Sequence, residues 1–320
     1  MSANTTKIGL GLAALGRPEY INIREDESID KSKTAFKQNT LTVLDKAYAL
    51  GVRYFDTAPS YGKGEAFLQE WKDFRNHKDA VLGTKWGYTY VANWELGYNG
   101  KHEIKEHSLA KLLEQWEVSK KLLPNLKYYQ VHSATFESGI LENDAVLTQL
   151  HKIKRATDLK MGITTSGANQ KEIIEAASKI KIDNTALFDS FQVTYNVFEQ
   201  DTFEILQSLL SQKKVVIIKE ALANGRVFQN EKFQHYSEAY KILEQLSKKY
   251  NVGVDAIALR FVMDNLQPTY MLSGASNAKQ LKENLKANSF KLLENELSVL
   301  KDLRVSSEFY WEERSALSWN

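Results

Sequence analysis

Eight short β-branched or apolar runs recur along this chain with long amphipathic stretches between them, and that alternation limits the fold more than any other feature. The runs are 7–11, 52–56, 80–85, 127–132, 160–164, 190–195, 214–219 and 269–274, and each ends at least 24 residues after the one before. Such intervals are long enough for a crossover helix between parallel strands. The intervening stretches carry the helical period. Leu41, Leu44, Ala47 and Tyr48 share one face before a stop at Gly51, and Ala239, Ile242, Leu243 and Leu246 repeat that spacing. Asn169 and Asn277 are placed to cap helices over 170–178 and 278–287. Eight strands alternating with helices predict a parallel (β/α)8 TIM barrel. Four prolines, no low-complexity segment and no repeat leave residues 1–320 as a single domain. Segments 17–37 and 86–105 are polar insertions after strands one and three, where a barrel carries its active-site loops.

Composition narrows the function classes. The 42 Lys and Arg nearly balance 40 Asp and Glu, so no net field points to nucleic acid or acidic lipid. The absence of cysteine excludes disulfides and thiolate metal sites and fits a reducing compartment. No apolar run approaches the ~18 residues of a membrane span, and the first residues lack a charged-then-apolar leader. The expectation is a cytoplasmic protein. Six histidines, at 77, 102, 107, 132, 151 and 235, form no His-x-His pair, and only His132 ends a strand. That argues against a clustered metal site of the amidohydrolase kind. Gly9-x-Gly11-x-x-Ala14 matches a dinucleotide fingerprint, but that motif works only by opening a helix. Here Gly16-Arg17-Pro18 intervenes and charge follows without an apolar period. The run reads instead as a strand whose small residues let a cofactor lie against its backbone.

Phe55-Asp56-Thr57-Ala58-Pro59-Ser60-Tyr61-Gly62 begins at the carboxyl end of the second strand, where barrel enzymes keep their chemistry. This stretch resembles the signature of the aldo-keto reductases, an Asp followed five residues later by a Tyr. The resemblance runs from strand one to the last barrel helix. It implies a catalytic four: Asp56, Tyr61, Lys85 of Gly-Thr-Lys-Trp-Gly, and His132 of Gln-Val-His-Ser. Hydride reduction of a carbonyl leaves negative charge on oxygen, which a positioned acid must neutralise. A free tyrosine, pKa ~10, is a weak acid at neutral pH. On this reading Lys85 lowers that pKa, Asp56 holds the ammonium, and His132 orients the substrate oxygen.

The resemblance also implies a nicotinamide cofactor. Gln192 of Gln-Val-Thr-Tyr-Asn would bond the carboxamide, with Thr164 and Thr165 where the family places Ser-Asn. Gly11 and Leu12 would lie along the cofactor. Lys219 stands where many members place a stacking aromatic, while Leu222 and Gly225 fall around the pyrophosphate. Gly274, Ser276, Gln280, Glu283 and Asn284 would meet the adenosine end. Ser276, Asn277 and Gln280 are neutral, with only Lys279 and Lys282 nearby. The expectation is therefore NADP(H), with NAD(H) usable. Trp86, Tyr88 and Trp311 are candidate contacts for a small carbonyl or sugar substrate. The aromatic tail from Phe309 follows a helix over 294–303 and is expected to fold over the barrel mouth. An aldose 1-dehydrogenase working oxidatively, or a nicotinamide-binding regulatory subunit, are the alternative readings.

Overall fold

The computed structural model describes residues 6–21 and 30–319. Part of the insertion after the first strand, 22–29, lies outside them. Eight strands form the core: β1 (Lys7–Gly11), β2 (Tyr54–Asp56), β3 (Val81–Trp86), β4 (Leu126–Ala134), β5 (Lys160–Thr165), β6 (Ser190–Thr194), β7 (Val215–Lys219) and β8 (Tyr270–Ser273). They pair in parallel in chain order, and β8 closes on β1, giving one barrel. All eight expected strands are present, with boundaries within two residues of those read from the sequence. Their burial on both faces explains the mixed polarity of a strand such as β6. Phe191 and Val193 pack in the main core, whereas Gln192 reaches across the interior to Asp56 on β2.

The helices are α1 (Lys33–Ala49), α2 (Gly64–Arg75), α3 (Leu109–Ser119), α4 (Asp144–Thr157), α5 (Gln170–Lys179), α6 (Phe203–Ser211), α7 (Ser237–Tyr250), α8 (Val254–Asn265), α9 (Ala278–Leu285), α10 (Glu294–Lys301) and α11 (Ser307–Ser315). The long interval before β8 holds two of them, α7 and α8. Helix α1 starts six residues earlier than the apolar period indicated. Ser32 caps it, its hydroxyl accepting from the Ala35 N–H at 3.3 Å, and Phe36 and Thr40 extend the buried face. Asn277 caps α9 through the Gln280 N–H at 2.9 Å, but the Asn169 side chain makes no such bond. The insertion after β3 contains an antiparallel ribbon, Tyr88–Tyr90 against Glu103–Lys105. No helix among the described residues is long and apolar enough to cross a membrane.

The lower barrel is filled by Tyr54, Tyr128 and Tyr270 with Val215, Ile217 and Leu272. Tyr54 fits because β1 and β3 present glycine to it. A Cβ at Gly9 would lie 2.7 Å from the Tyr54 ring, and one at Gly83 would overlap its hydroxyl. That packing aims the Tyr54 hydroxyl upward, where it donates to Asp56 Oδ2 at 2.9 Å. The floor of the barrel thus orients the first group of the candidate site.

Candidate active site

Asp56 ends β2 and is 1% exposed. Its carboxylate accepts from four side chains: the Lys85 ammonium, the Tyr54 hydroxyl, the Gln192 amide at 2.9 Å and the Gln130 amide at 3.4 Å. A buried carboxylate this well solvated by donors, and paired with a cation, stays in place at low cost. Lys85 on β3 is wholly buried and donates also to the Thr57 carbonyl at 3.1 Å. The pair forms a rigid, dry base to the site.

Tyr61 and His132 stand above that base, both half-buried. A turn after β2 carries Tyr61, its N–H bonding the Ala58 carbonyl at 3.0 Å. Gly62 follows with φ 63°, and a methyl at Gly16 would overlap the Tyr61 carbonyl oxygen, so glycine is required on both sides of the turn. Lys85 Nζ lies 4.8 Å from the Tyr61 ring centre. The rings of Tyr61 and His132 meet edge to face at 5.6 Å. His132 lies near the end of β4, two residues before Ala134, with its carbonyl 2.9 Å from His107 Nε2, its Nδ1 3.4 Å from the Ser60 hydroxyl and its ring 4.7 Å from Tyr88. The four residues singled out in the sequence are therefore side by side at one barrel end.

The electrostatics separate their roles. Desolvation and the Asp56 charge hold the Tyr61 phenol well above its usual pKa, contrary to the lowering by Lys85 expected from the sequence, and Arg17 acts against them. Burial pushes His132 well below its usual value, with Lys85 and Arg17 adding to the effect, so the ring is neutral at pH 7. Desolvation pushes Lys219, at the end of β7, down to about 8. Its ammonium donates to Thr194 Oγ1 at 2.7 Å and Ser166 Oγ at 3.0 Å and lies 5.8 Å from the Trp311 ring. Glu220 next to it is held down at about 2; burial would raise it, but Arg314 and Lys219 outweigh that.

The other residues read from the sequence fall into two groups. Gly11, Leu222, Gly225, Gly274, Ser276, Gln280 and Glu283 sit just at or after the carboxyl ends of β1, β7 and β8 or on α9, with Glu283 in its last turn. Among the described residues, its two chain neighbours apart, no atom lies within 4 Å of a Cβ built at Gly274, so the space beside it is open. Elsewhere the structure engages groups that would otherwise meet a ligand. The Leu12 N–H bonds the Asp56 carbonyl at 2.8 Å, Thr164 Oγ1 accepts from the Ser133 N–H at 2.7 Å, and the Gln192 amide nitrogen is on Asp56. Thr165 is wholly buried, its hydroxyl unpartnered. Asn284 is buried with both amide ends used, accepting from Ser273 Oγ at 2.7 Å and donating to Asp255 at 2.6 Å. Trp86 is 0% exposed because β3 continues through it, so it presents no surface to a substrate and packs in the core. Tyr88 and Trp311 are at the mouth. Trp94 is turned away, its indole N–H bonding the Lys31 carbonyl at 2.8 Å beneath α1.

The tail docks across β6 and β7. Asn196 donates to the Tyr310 hydroxyl at 2.9 Å, Arg226 to the Tyr310 carbonyl at 3.1 Å, and Arg314 to Glu220 at 2.9 Å. Further on, Trp319 pairs with Ile21 and stacks on His102. Sequence reading missed Arg17, Gln130 and the Glu220–Arg314 pair. Each is a single residue without periodic or spacing signal. Among the described residues no cluster of three His, Cys, Asp or Glu could hold a metal ion.

The comparisons with known proteins agree with this geometry. The sequence profile of the aldo/keto reductase family matches residues 7–304. The chain is 26% identical over 298 residues to an uncharacterized oxidoreductase, YqkF, of Bacillus subtilis, covering 87% of this chain and 92% of that protein. It is 23% identical over 286 residues to norsolorinic acid reductase of Aspergillus flavus, covering 82% and 71% respectively. Among solved structures, the glycerol dehydrogenase AKR11B4 of Gluconobacter oxydans superposes with TM-score 0.70 at 20% identity, over 95% of each chain. With the barrel, the four grouped side chains and the profile match in agreement, the chain belongs to the aldo/keto reductase family of oxidoreductases.

Proposed function

We propose that this protein moves a hydride between NADP(H) or NAD(H) and a small aldehyde, ketone or sugar, with Tyr61 as the general acid. The observation that carries the reading is the pairing of two half-buried, solvent-facing groups, Tyr61 and His132, over a buried Lys85–Asp56 ion pair. His132 is neutral, and in the tautomer whose Nδ1 accepts from the Ser60 hydroxyl its Nε2–H is free to donate to a substrate oxygen. A carbonyl oxygen held by that donor meets the Tyr61 hydroxyl, which delivers the proton as charge develops on oxygen. Asp56 fixes the Lys85 ammonium below the ring. The nicotinamide, when bound, supplies or accepts the hydride.

Ser166 and Lys219 give the mouth the hydroxyl and amine donors that an amide-bearing ring needs. Leu222, Gly225, Gly274, Ser276, Gln280 and Glu283 would line the remainder of the cofactor. Asn284 and Thr165 are reserved for packing. Relatives named as a reductase and as aryl-alcohol dehydrogenases support carbonyl–alcohol chemistry. The test is a screen of aldehydes, ketones and free aldoses that follows cofactor oxidation and reduction. Turnover of none of them, with cofactor bound, would leave a regulatory subunit as the reading.

Two expectations concern the cofactor. At the start of α9, Ser276 N–H and hydroxyl are both held by Gln280 Oε1, at 2.9 and 3.1 Å. Nothing charged among these residues demands a ribose phosphate. The kcat/KM ratio for the two cofactors is expected to stay within ~10² either way, and Gln280→Arg to shift it roughly tenfold or more towards NADP(H). A native ratio beyond ~10³ would contradict this account.

The second turns on Lys219. Below about pH 8 its ammonium is charged and repels the positive ring of the oxidised cofactor; above, it is neutral. Affinity for NAD(P)+ should therefore rise about fivefold as pH passes that value, the worth of ~1 kcal/mol of like-charge repulsion. Fluorescence titration of the bound cofactor reads this, and Lys219→Met should flatten the step. A step of unchanged size in Lys219→Met would assign it elsewhere.

A further inference from the structure

Arg17 follows β1 and is 2% exposed, yet nothing proposed above gives it work. Among the described residues two acceptors meet its guanidinium, both through Nη1, the Ser60 carbonyl at 3.0 Å and Glu103 at 2.7 Å, and none meets its buried Nε. A buried charge so thinly bonded is expensive, and an apolar side chain would serve packing better. What surrounds it is aromatic. The guanidinium carbon lies over the rings of Trp319 at 4.7 Å, Tyr20 at 5.1 Å and Tyr61 at 5.3 Å, a stacking environment suited to a flat delocalised cation.

We infer that Arg17 is a positioning residue for Tyr61, gripping the turn that carries it and holding a fixed positive charge over its ring, with Glu103 and Trp319 as the clamp. The bond to Ser60 seizes the residue immediately before Tyr61, and the Lys63 N–H to Gly16 carbonyl bond at 2.7 Å locks the same turn from its other side. The charges facing the phenol show why a second cation is needed. Asp56 comes from β2, Lys85 from β3 and His132 from β4. Tyr20 and Arg17 come from the loop after β1, Glu103 from the ribbon and Glu220 from the end of β7. Lys85 is paired with Asp56, and His132 is neutral. The three carboxylates favour the protonated phenol, and Arg17 opposes them.

This inference rests on the proposed role of Tyr61, but its test needs no turnover. 3-Fluorotyrosine is placed at position 61 of the full chain without cofactor, and its ionisation is followed by 19F NMR as pH is raised. Arg17→Met should move the midpoint up by about one pH unit, tenfold in the ionisation constant. Glu103→Gln, which leaves the guanidinium unneutralised, should move it down. Arg17→Lys keeps the charge without the planar fork, so it should stay near the native midpoint while kcat falls. If Arg17→Met does not fold, Glu103→Gln still gives the sign. Midpoints that stay put, or move the same way in Arg17→Met and Glu103→Gln, overturn the inference. Substantial activity in Tyr61→Phe would instead overturn the assignment of the acid and leave these midpoints standing.

Discussion

Replacing Tyr61 by Phe is expected to lower kcat by ~10²–10⁴, the usual worth of a general acid, with little change in cofactor affinity. The substitution keeps the ring, and with it the edge-to-face contact with His132 and the packing against Arg17. Only the hydroxyl is lost, so folding should be nearly native and the loss should appear in the chemical step. Steady-state kinetics with the best substrate from the screen, joined to a single-turnover measurement, separates chemistry from product release. A variant that keeps more than about a tenth of wild-type kcat, with chemistry rate-limiting, would show that the proton comes from elsewhere.

Asp56→Asn is expected to have the largest effect on stability. The carboxylate is the common acceptor for Lys85, Tyr54, Gln192 and Gln130. An amide of the same shape turns one acceptor oxygen into a donor that faces these donors. It also leaves the buried Lys85 ammonium without a counter-charge, with only neutral oxygens such as the Thr57 carbonyl to accept from it. Removing one partner of a buried pair costs about 3–5 kcal/mol, and urea unfolding should show a loss of that order. Lys85→Met should cost less, because three neutral donors still satisfy the carboxylate. The double variant Asp56→Asn/Lys85→Met should be less destabilised than the two single losses added together, because the stranded ammonium is gone. A loss below ~1 kcal/mol in Asp56→Asn would mean that the ion pair is solvated more than its burial indicates.

The barrel was legible because each β-strand is a short apolar run ended by a break in pattern, and the candidate four because their types fall at strand ends with fixed spacing. What escaped the sequence was local or tertiary. The first turn of α1 is polar apart from Phe36, so the apolar period begins late even though Ser32 is a sound cap. Trp86 looked like a mouth residue because the strand was expected to stop at Lys85; one more residue of pairing buries it. Asn284 follows from helix spacing to the right surface of α9, but Asp255 on α8, distant in sequence, takes its amide. Arg17 stands in a charged insertion where nothing local distinguishes one arginine from its neighbours; only the folded chain brings Tyr61 and Trp319 to it.

The mouth and the barrel are also held by different kinds of contact. The strand ring closes through backbone ladders. The mouth relies on side chains joining residues far apart in sequence, Glu220 with Arg314 and Arg17 with Trp319, and on the bridge of Ile21 to Trp319. Helix α11 and the strand-like end of the tail lie outside the ring, so they can detach without breaking any ladder. They are expected to open as a separate unit at less free energy than global unfolding, although Tyr310 and Trp311 pack into the core. Amide exchange should therefore be faster in α11 than in β4–β7, and substrate turnover should fail at urea concentrations where barrel circular dichroism is still native. The same chain can then exist as an intact scaffold with an unfinished entrance, and its working stability is set by the tail.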